Sequence, residues 1–128
     1  MAESELSGEL QPFIAEHIES LEKLEVLLLL HGNPATVWSA QDVYQAIQSS
    51  QLSVARRLRE LIAQGFLAEV SKDQFQFRPK NKELSAMVDL LKTEYQVRRI
   101  RVIEAIFSKS TEKMRQFADA FKIRKDKE

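Results

Sequence analysis

The chain has 128 residues, enough for one domain that buries roughly two thirds of its unfolded surface. Apolar residues make up 44% and charged residues 30%, which excludes a wholly disordered chain or a fibrous repeat. Nineteen basic and nineteen acidic side chains cancel to a net charge of zero, which excludes a uniformly basic nucleic-acid coat but allows a local basic patch.

Three glycines and three prolines leave few turns, so the long stretches between them are expected to be helical. Without cysteine there is no disulfide framework, thiolate metal site or thiol nucleophile. The longest apolar run, residues 26–30, is far short of the ~20 residues that cross a bilayer. The acidic first segment does not read as a signal peptide. A cytoplasmic protein without a membrane partner is expected.

Residues 1–11 carry three glutamates and read as a flexible acidic lead. Pro12 suits a first helical turn, and Phe13, His17, Leu21, Leu24, Leu27 and Leu28 then recur at intervals of three and four. The spacing predicts a near-continuous helix up to His31, with Ser20 as an alternative cap for a second helix. Gly32, Asn33 and Pro34 end it. Ser39 followed by Asp42 fits a capping box and predicts a short helix over 40–48 with Val43, Tyr44 and Ile47 inward and Trp38 as a staple. After a polar turn a third helix runs to Gln64, burying Val54, Ala55, Leu58, Leu61 and Ile62, and Gly65 stops it.

Beyond Gly65 the period changes from helical to alternating. Residues 66–70 and 74–78 predict a β-hairpin with Phe75 and Phe77 inward, closed by Pro79. Asn81 then caps a helix to about Ser108, which at 1.5 Å per residue spans about 42 Å, longer than the about 36 Å width of such a globule. Its first half has one apolar stripe, Leu84, Met87, Val88, Leu91 and Tyr95. Its second half continues the stripe with Val102 and Ile106 and adds a flank of Ile100, Ile103 and Phe107. Two apolar faces on one long helix call for a second copy of the chain. Leu91, Tyr95, Ile100, Ile103 and Phe107, together with Met114, Phe117 and Phe121 of a short final helix, are the candidate dimer interface. The domain reading is a winged unit over 12–80, a dimerisation segment over 81–121 and a charged tail over 122–128.

Catalytic constellations are missing from this pattern. His17 and His31 stand fourteen apart without a carboxylate motif and read as helix-surface histidines. The three glycines are isolated, so there is no phosphate-cradling loop, and no serine sits in a nucleophile elbow. Neither an enzyme nor a cofactor is expected.

Helix, capped helix, polar turn, helix, hairpin and long helix form the order of a helix-turn-helix with an appended wing. The run Ser53-Val54-Ala55-Arg56-Arg57-Leu58-Arg59-Glu60-Leu61, followed by Gly65-Phe66-Leu67, is similar to the recognition helix and wing entry of bacterial MarR-like transcription regulators. Residues 21–78 resemble the winged domain of that family. The whole chain, with Leu24-Glu25-Val26-Leu27 and Phe117-Ala118-Asp119-Ala120-Phe121, also resembles small bacterial proteins of predicted regulator type. The resemblance implies a mainly α fold with a small β-hairpin, a winged helix-turn-helix followed by a long C-terminal dimerisation helix. It implies sequence-specific binding of double-stranded DNA by a homodimeric transcription regulator.

On the wheel of residues 51–64 the apolar group centres on Leu58, and the opposite side shows Ser53, Arg56, Arg57, Glu60 and Gln64. Arginine forks pair with guanine edges or clamp phosphates, and serine or glutamine bonds bases or backbone. Gln51, Ser53, Arg56, Arg57 and Arg59 are therefore the candidate DNA contacts of the helix. Lys72 at the wing tip and Arg78 and Lys80 at its base are the wing candidates. Arg98, Arg99 and Arg101 suit an interface or the acidic lead more than DNA. An aromatic effector pocket near Trp38, Tyr44 or Tyr95 is conceivable, but such aromatics are more often core. The alternative function is a protein-interaction module without DNA binding, favoured by the net neutrality and by a short wing carrying Glu69 and Asp73. Neutrality itself is a sum: residues 1–25 hold seven acids and one base, whereas residues 26–128 hold eighteen bases and twelve acids.

Overall fold

A computed structural model of the chain describes residues 5–108. The final helix with Met114, Phe117 and Phe121, and the charged tail, lie outside the described residues. Five helices and one hairpin follow in the order α1 (Leu10–His17), α2 (Leu21–His31), α3 (Ala40–Ile47), α4 (Gln51–Ala63), β1 (Leu67–Ser71), β2 (Gln74–Phe77) and α5 (Lys82–Val97). A further helical segment, α6, covers residues 99–108. The chain is mainly α with a small antiparallel hairpin, as the residue pattern indicates.

Four helices start on side-chain caps, three of which (Ser20, Ser39 and Asn81) are legible in the sequence. Ser20 Oγ accepts from the Lys23 N–H at 3.1 Å, and Ser50 Oγ from the Ser53 N–H at 3.3 Å. Asn81 Oδ1 accepts from the Leu84 N–H at 2.8 Å. At α3 the box is reciprocal: Ser39 Oγ accepts from the Asp42 N–H at 3.0 Å, and the Ser39 N–H donates to Asp42 Oδ2 at 3.2 Å. Each such cap satisfies a backbone donor that the helix itself leaves free.

The structure corrects two expectations of continuity. The helix over 12–31 is two helices. Ile18 is extended (φ −115°, ψ 100°) and Ser20 caps α2. The break lets Ile18, 1% exposed, join Leu10, Phe13 and Ile14 in the same core as Leu24, Val26, Leu27 and Leu30. Helix α1 therefore begins two residues before Pro12, and Leu10 is fully buried. The helix over 81–108 is also broken, at Arg98 (φ −127°, ψ 54°). Sixteen residues of α5 measure about 24 Å, so the premise of a helix longer than its domain falls. Residues on both sides still face inward: Val88 and Leu91 from α5, Val102, Ala105 and Ile106 from α6.

Gly65 occupies the one position where the backbone requires glycine. It has φ 89°, its N–H donates to Ile62 O at 3.0 Å, and the Phe66 N–H donates to Leu61 O at 3.0 Å. These two bonds are the paired bonds of a Schellman stop. The Lys80 chain lies across it, with its N–H donating to Gly65 O at 2.8 Å. A Cβ at Gly65 would fall 2.5 Å from Lys80 Cδ. Gly65→Ala is expected to cost more than about 1 kcal/mol, read as a lower urea midpoint. An unchanged midpoint would contradict this assignment.

The hairpin pairs Leu67 with Phe77, Ala68 with Gln76, Glu69 with Phe75 and Ser71 with Gln74, with a bulge between Glu69 and Ser71. Trp38, expected as a helix staple, instead pairs with the hairpin's outer edge. Its N–H donates to Phe75 O at 2.8 Å, and the Phe75 N–H donates to Trp38 O at 2.7 Å. The segment before α3 is thereby sewn to the wing. Phe75 is buried and Phe77 half-buried, the latter meeting His31 edge-on at 5.1 Å.

Candidate nucleic-acid interface

Helix α4 divides into three faces. Val54, Leu58 and Leu61 are fully buried. Ser53, Arg57, Glu60 and Gln64 occupy a polar flank that is only partly exposed. Leu52, Arg56, Arg59 and Ala63 are exposed. At 100° per residue these last four fall within about 60° of one another. They form a single outward stripe.

The polar flank is covered by α2. Arg57 Nε donates to Glu22 Oε1 at 3.0 Å and Nη1 to Glu60 Oε1 at 3.1 Å. The hydroxyls of Ser49 and Ser53 also donate to the Glu22 carboxylate. Gln64 Nε2 donates to His17 O at 3.2 Å. The Arg57 and Glu22 side chains are only 18% and 16% exposed. Sequence reasoning placed Ser53 and Arg57 on the solvent face, and the structure turns both toward α2. Their residue types are right for DNA, but Glu22 reaches them first.

Burial works against the Glu22 charge, yet hydrogen bonds from Ser49, Ser53 and Arg57 outweigh it and hold the carboxyl below its usual value of 4.5. A lowered carboxylate adds stability above its unfolded range, and that contribution vanishes as pH falls through the lowered folded value. Burial likewise disfavours the Arg57 charge, but bonds to Glu22 and Glu60 raise its pKa overall.

Lys23 enters the same cluster from α2. It is fully buried, with Nζ 3.7 Å from Glu19 and 3.8 Å from Glu60. Neither distance is a hydrogen bond, and Nζ has no hydrogen-bond partner among the described residues. Burial therefore dominates and lowers its pKa from 10.5, against the pull of Glu19 and Glu60. Between the lowered value and 10.5 the unfolded chain binds the proton more tightly, so stability rises with pH across that window. Lys23→Met, which leaves Glu60 its arginine and Glu19 its solvent, is expected to raise stability by about 1 kcal/mol and to remove that alkaline rise. A loss in the urea midpoint would show that the two carboxylates outweigh burial.

The outward stripe carries the free positive charge of α4. Among the described residues neither Arg56 nor Arg59 has an ion-pair partner. Gln51 is exposed at the first turn, its amide donating to Gln41 Oε1 of α3 at 3.1 Å. Sequence reasoning missed Leu52, the most exposed large apolar side chain among the described residues at 76%. Its signal was the 52, 56, 59, 63 spacing. In the wing Lys72, Arg78 and Lys80 are all exposed. Over residues 51–82 the internal Arg57–Glu60 pair cancels. Six bases and two acids remain.

The candidate dimer residues separate. Leu91 is fully buried within the chain itself and has no surface to offer a partner. Tyr95 and Ile103 are half-buried, with the Arg99 guanidinium 4.7 Å from the Tyr95 ring centre. Ile100 and Phe107 are 62% and 51% exposed, and Val97, beside the break at Arg98, is 59% exposed. Arg98 and Arg101 bond Glu94 and Glu104 on their own segment at 2.6 and 3.1 Å. Trp38, Tyr44 and Tyr95 pack against the core. A cavity of about 210 Å³ lies elsewhere, between Leu6 and Gln11 on one side and Arg101 and Ala105 on the other.

No protein-family model and no curated protein sequence matches the chain. Among solved structures, the crystal structure of MepR, a transcription regulator of the Staphylococcus aureus multidrug efflux pump MepA, is similar over 94% of this chain and 88% of that one. The TM-score is 0.52 at 12% identity. At that identity the likeness concerns the fold. It supports the winged-helix architecture read from the order of elements. No helix among the described residues is long and apolar enough to cross a membrane.

Proposed function

We propose that the chain is a transcription regulator that binds double-stranded DNA sequence-specifically as a homodimer. The observation that carries this reading is the outward stripe of α4. Two arginines that have no ion-pair partner among the described residues stand on one exposed face of the helix that follows a capped helix and precedes a wing. In such a fold the second helix enters the major groove and its N-terminal part meets base edges. Arg56 and Arg59 are the groove candidates, with Gln51 at the helix start. Lys72 and Arg78 suit phosphate or minor-groove contact. Ser53 and Arg57 act indirectly, fixing α4 against α2.

The dimer is proposed through Val97, Ile100, Ile103 and Phe107, with Tyr95 at the margin and Met114, Phe117 and Phe121 as further candidates. Selection from random duplexes by the purified full chain tests the reading. The expected result is an enriched pair of half-sites about 10 base pairs apart centre to centre, bound less tightly as salt rises. Absence of any enriched motif would favour a protein-docking module instead.

A further inference from the structure

The stripe that carries Arg56 and Arg59 begins with a leucine. Leu52 is 76% exposed at the second position of α4, four residues before Arg56, whereas the core of α4 is already filled by Val54, Leu58 and Leu61. Packing among the described residues gives it no role. A surface that covers it has to supply an apolar group within reach of two arginines, next to negative charge. The major-groove edge of a pyrimidine with a 5-methyl group, flanked by phosphates, has both properties.

We propose that Leu52 is a specificity-determining residue that contacts the 5-methyl group of a pyrimidine in the major groove. The inference rests on the DNA-binding function proposed above and names what that site recognises. The rise of 1.5 Å per helical residue separates Leu52 and Arg56 by about 6 Å, and bases stack at about 3.4 Å along a strand. The methyl-bearing pyrimidine therefore lies about two steps from the guanine paired by Arg56. Thymine and 5-methylcytosine both carry the group.

The test takes the duplex obtained by random-site selection and replaces each thymine in turn with deoxyuridine, which removes only the methyl. Affinity of the full chain is measured for wild type and Leu52→Ala. Leu52 is exposed and alanine is the best helix former, so the variant keeps its fold, which circular dichroism confirms. The expected result is one position per half-site where deoxyuridine weakens wild type by about fourfold and leaves Leu52→Ala unaffected. At that position a preference for either thymine or 5-methylcytosine over its unmethylated counterpart supports the contact and identifies the source. Specific binding with no methyl-sensitive position, or with equal sensitivity in Leu52→Ala, overturns the inference and leaves the DNA-binding function standing. Failure to select any site overturns that function as well.

Discussion

Two adjacent arginines are expected to give opposite phenotypes. Arg56→Ala should weaken binding to the selected duplex by about 1–3 kcal/mol and leave the urea midpoint unchanged, because its side chain is exposed on the outward stripe. Arg57→Ala should do the reverse. Its loss strips Glu22 and Glu60 of the guanidinium that bonds both at 3.0 and 3.1 Å. A charged hydrogen-bond acceptor left partly buried without its donor costs about 2 kcal/mol. The loss is smaller than for a fully interior pair because Glu60 keeps contact with water. DNA affinity per folded molecule should stay within about twofold, a change of well under 1 kcal/mol. Urea titration followed by equilibrium binding below the transition separates the two effects. If Arg57→Ala lost affinity without losing stability, Arg57 would be a groove residue after all.

The second large effect is expected at the break in the C-terminal region. Val97 and Ile100 are 59% and 62% exposed on either side of Arg98, and a self-complementary interface puts the same patch of both subunits in contact. Ile100→Asp places a charge in that patch, where desolvation opposes association. Sedimentation of the wild type should give twice the chain mass and the variant the chain mass. Because the second half-site is then no longer tethered, affinity for a two-half-site duplex should fall by about a hundredfold or more. Affinity for a single half-site should be unaffected. A dimeric Ile100→Asp variant would move the interface elsewhere.

Some of this architecture is legible in single residues. The box of Ser39 and Asp42, the cap at Asn81 and the stop at Gly65 each involve groups within three to five positions of one another, so local chemistry reveals them. The switch to alternation at Phe66 reveals the hairpin for the same reason. The break at Ile18 was masked because the apolar spacing runs through it, Phe13, His17, Leu21, Leu24, as if the helix continued. Ser20 alone signalled the cap. The break at Arg98 has neither glycine nor proline beside it. Most consequential was the orientation of Arg57. A helical wheel shows which side is polar, not which polar flank a neighbouring helix covers, and Glu22 comes from 35 positions away. Trp38 escaped likewise, because its partner Phe75 is 37 positions distant. Leu52 carries no charge, and a single exposed leucine on a helix is an ordinary surface feature in sequence.

The proposed division of α4 into a DNA-reading stripe and a structural flank is tested most directly by base-by-base affinity. Every position of the selected duplex is substituted in turn, and the profiles of wild type and Arg56→Ala are compared. The predicted result is that Arg56→Ala loses discrimination at one guanine in each half-site while the profile elsewhere keeps its shape. A uniform fall at every position, or a profile identical to wild type, would contradict the assignment of this stripe to the major groove.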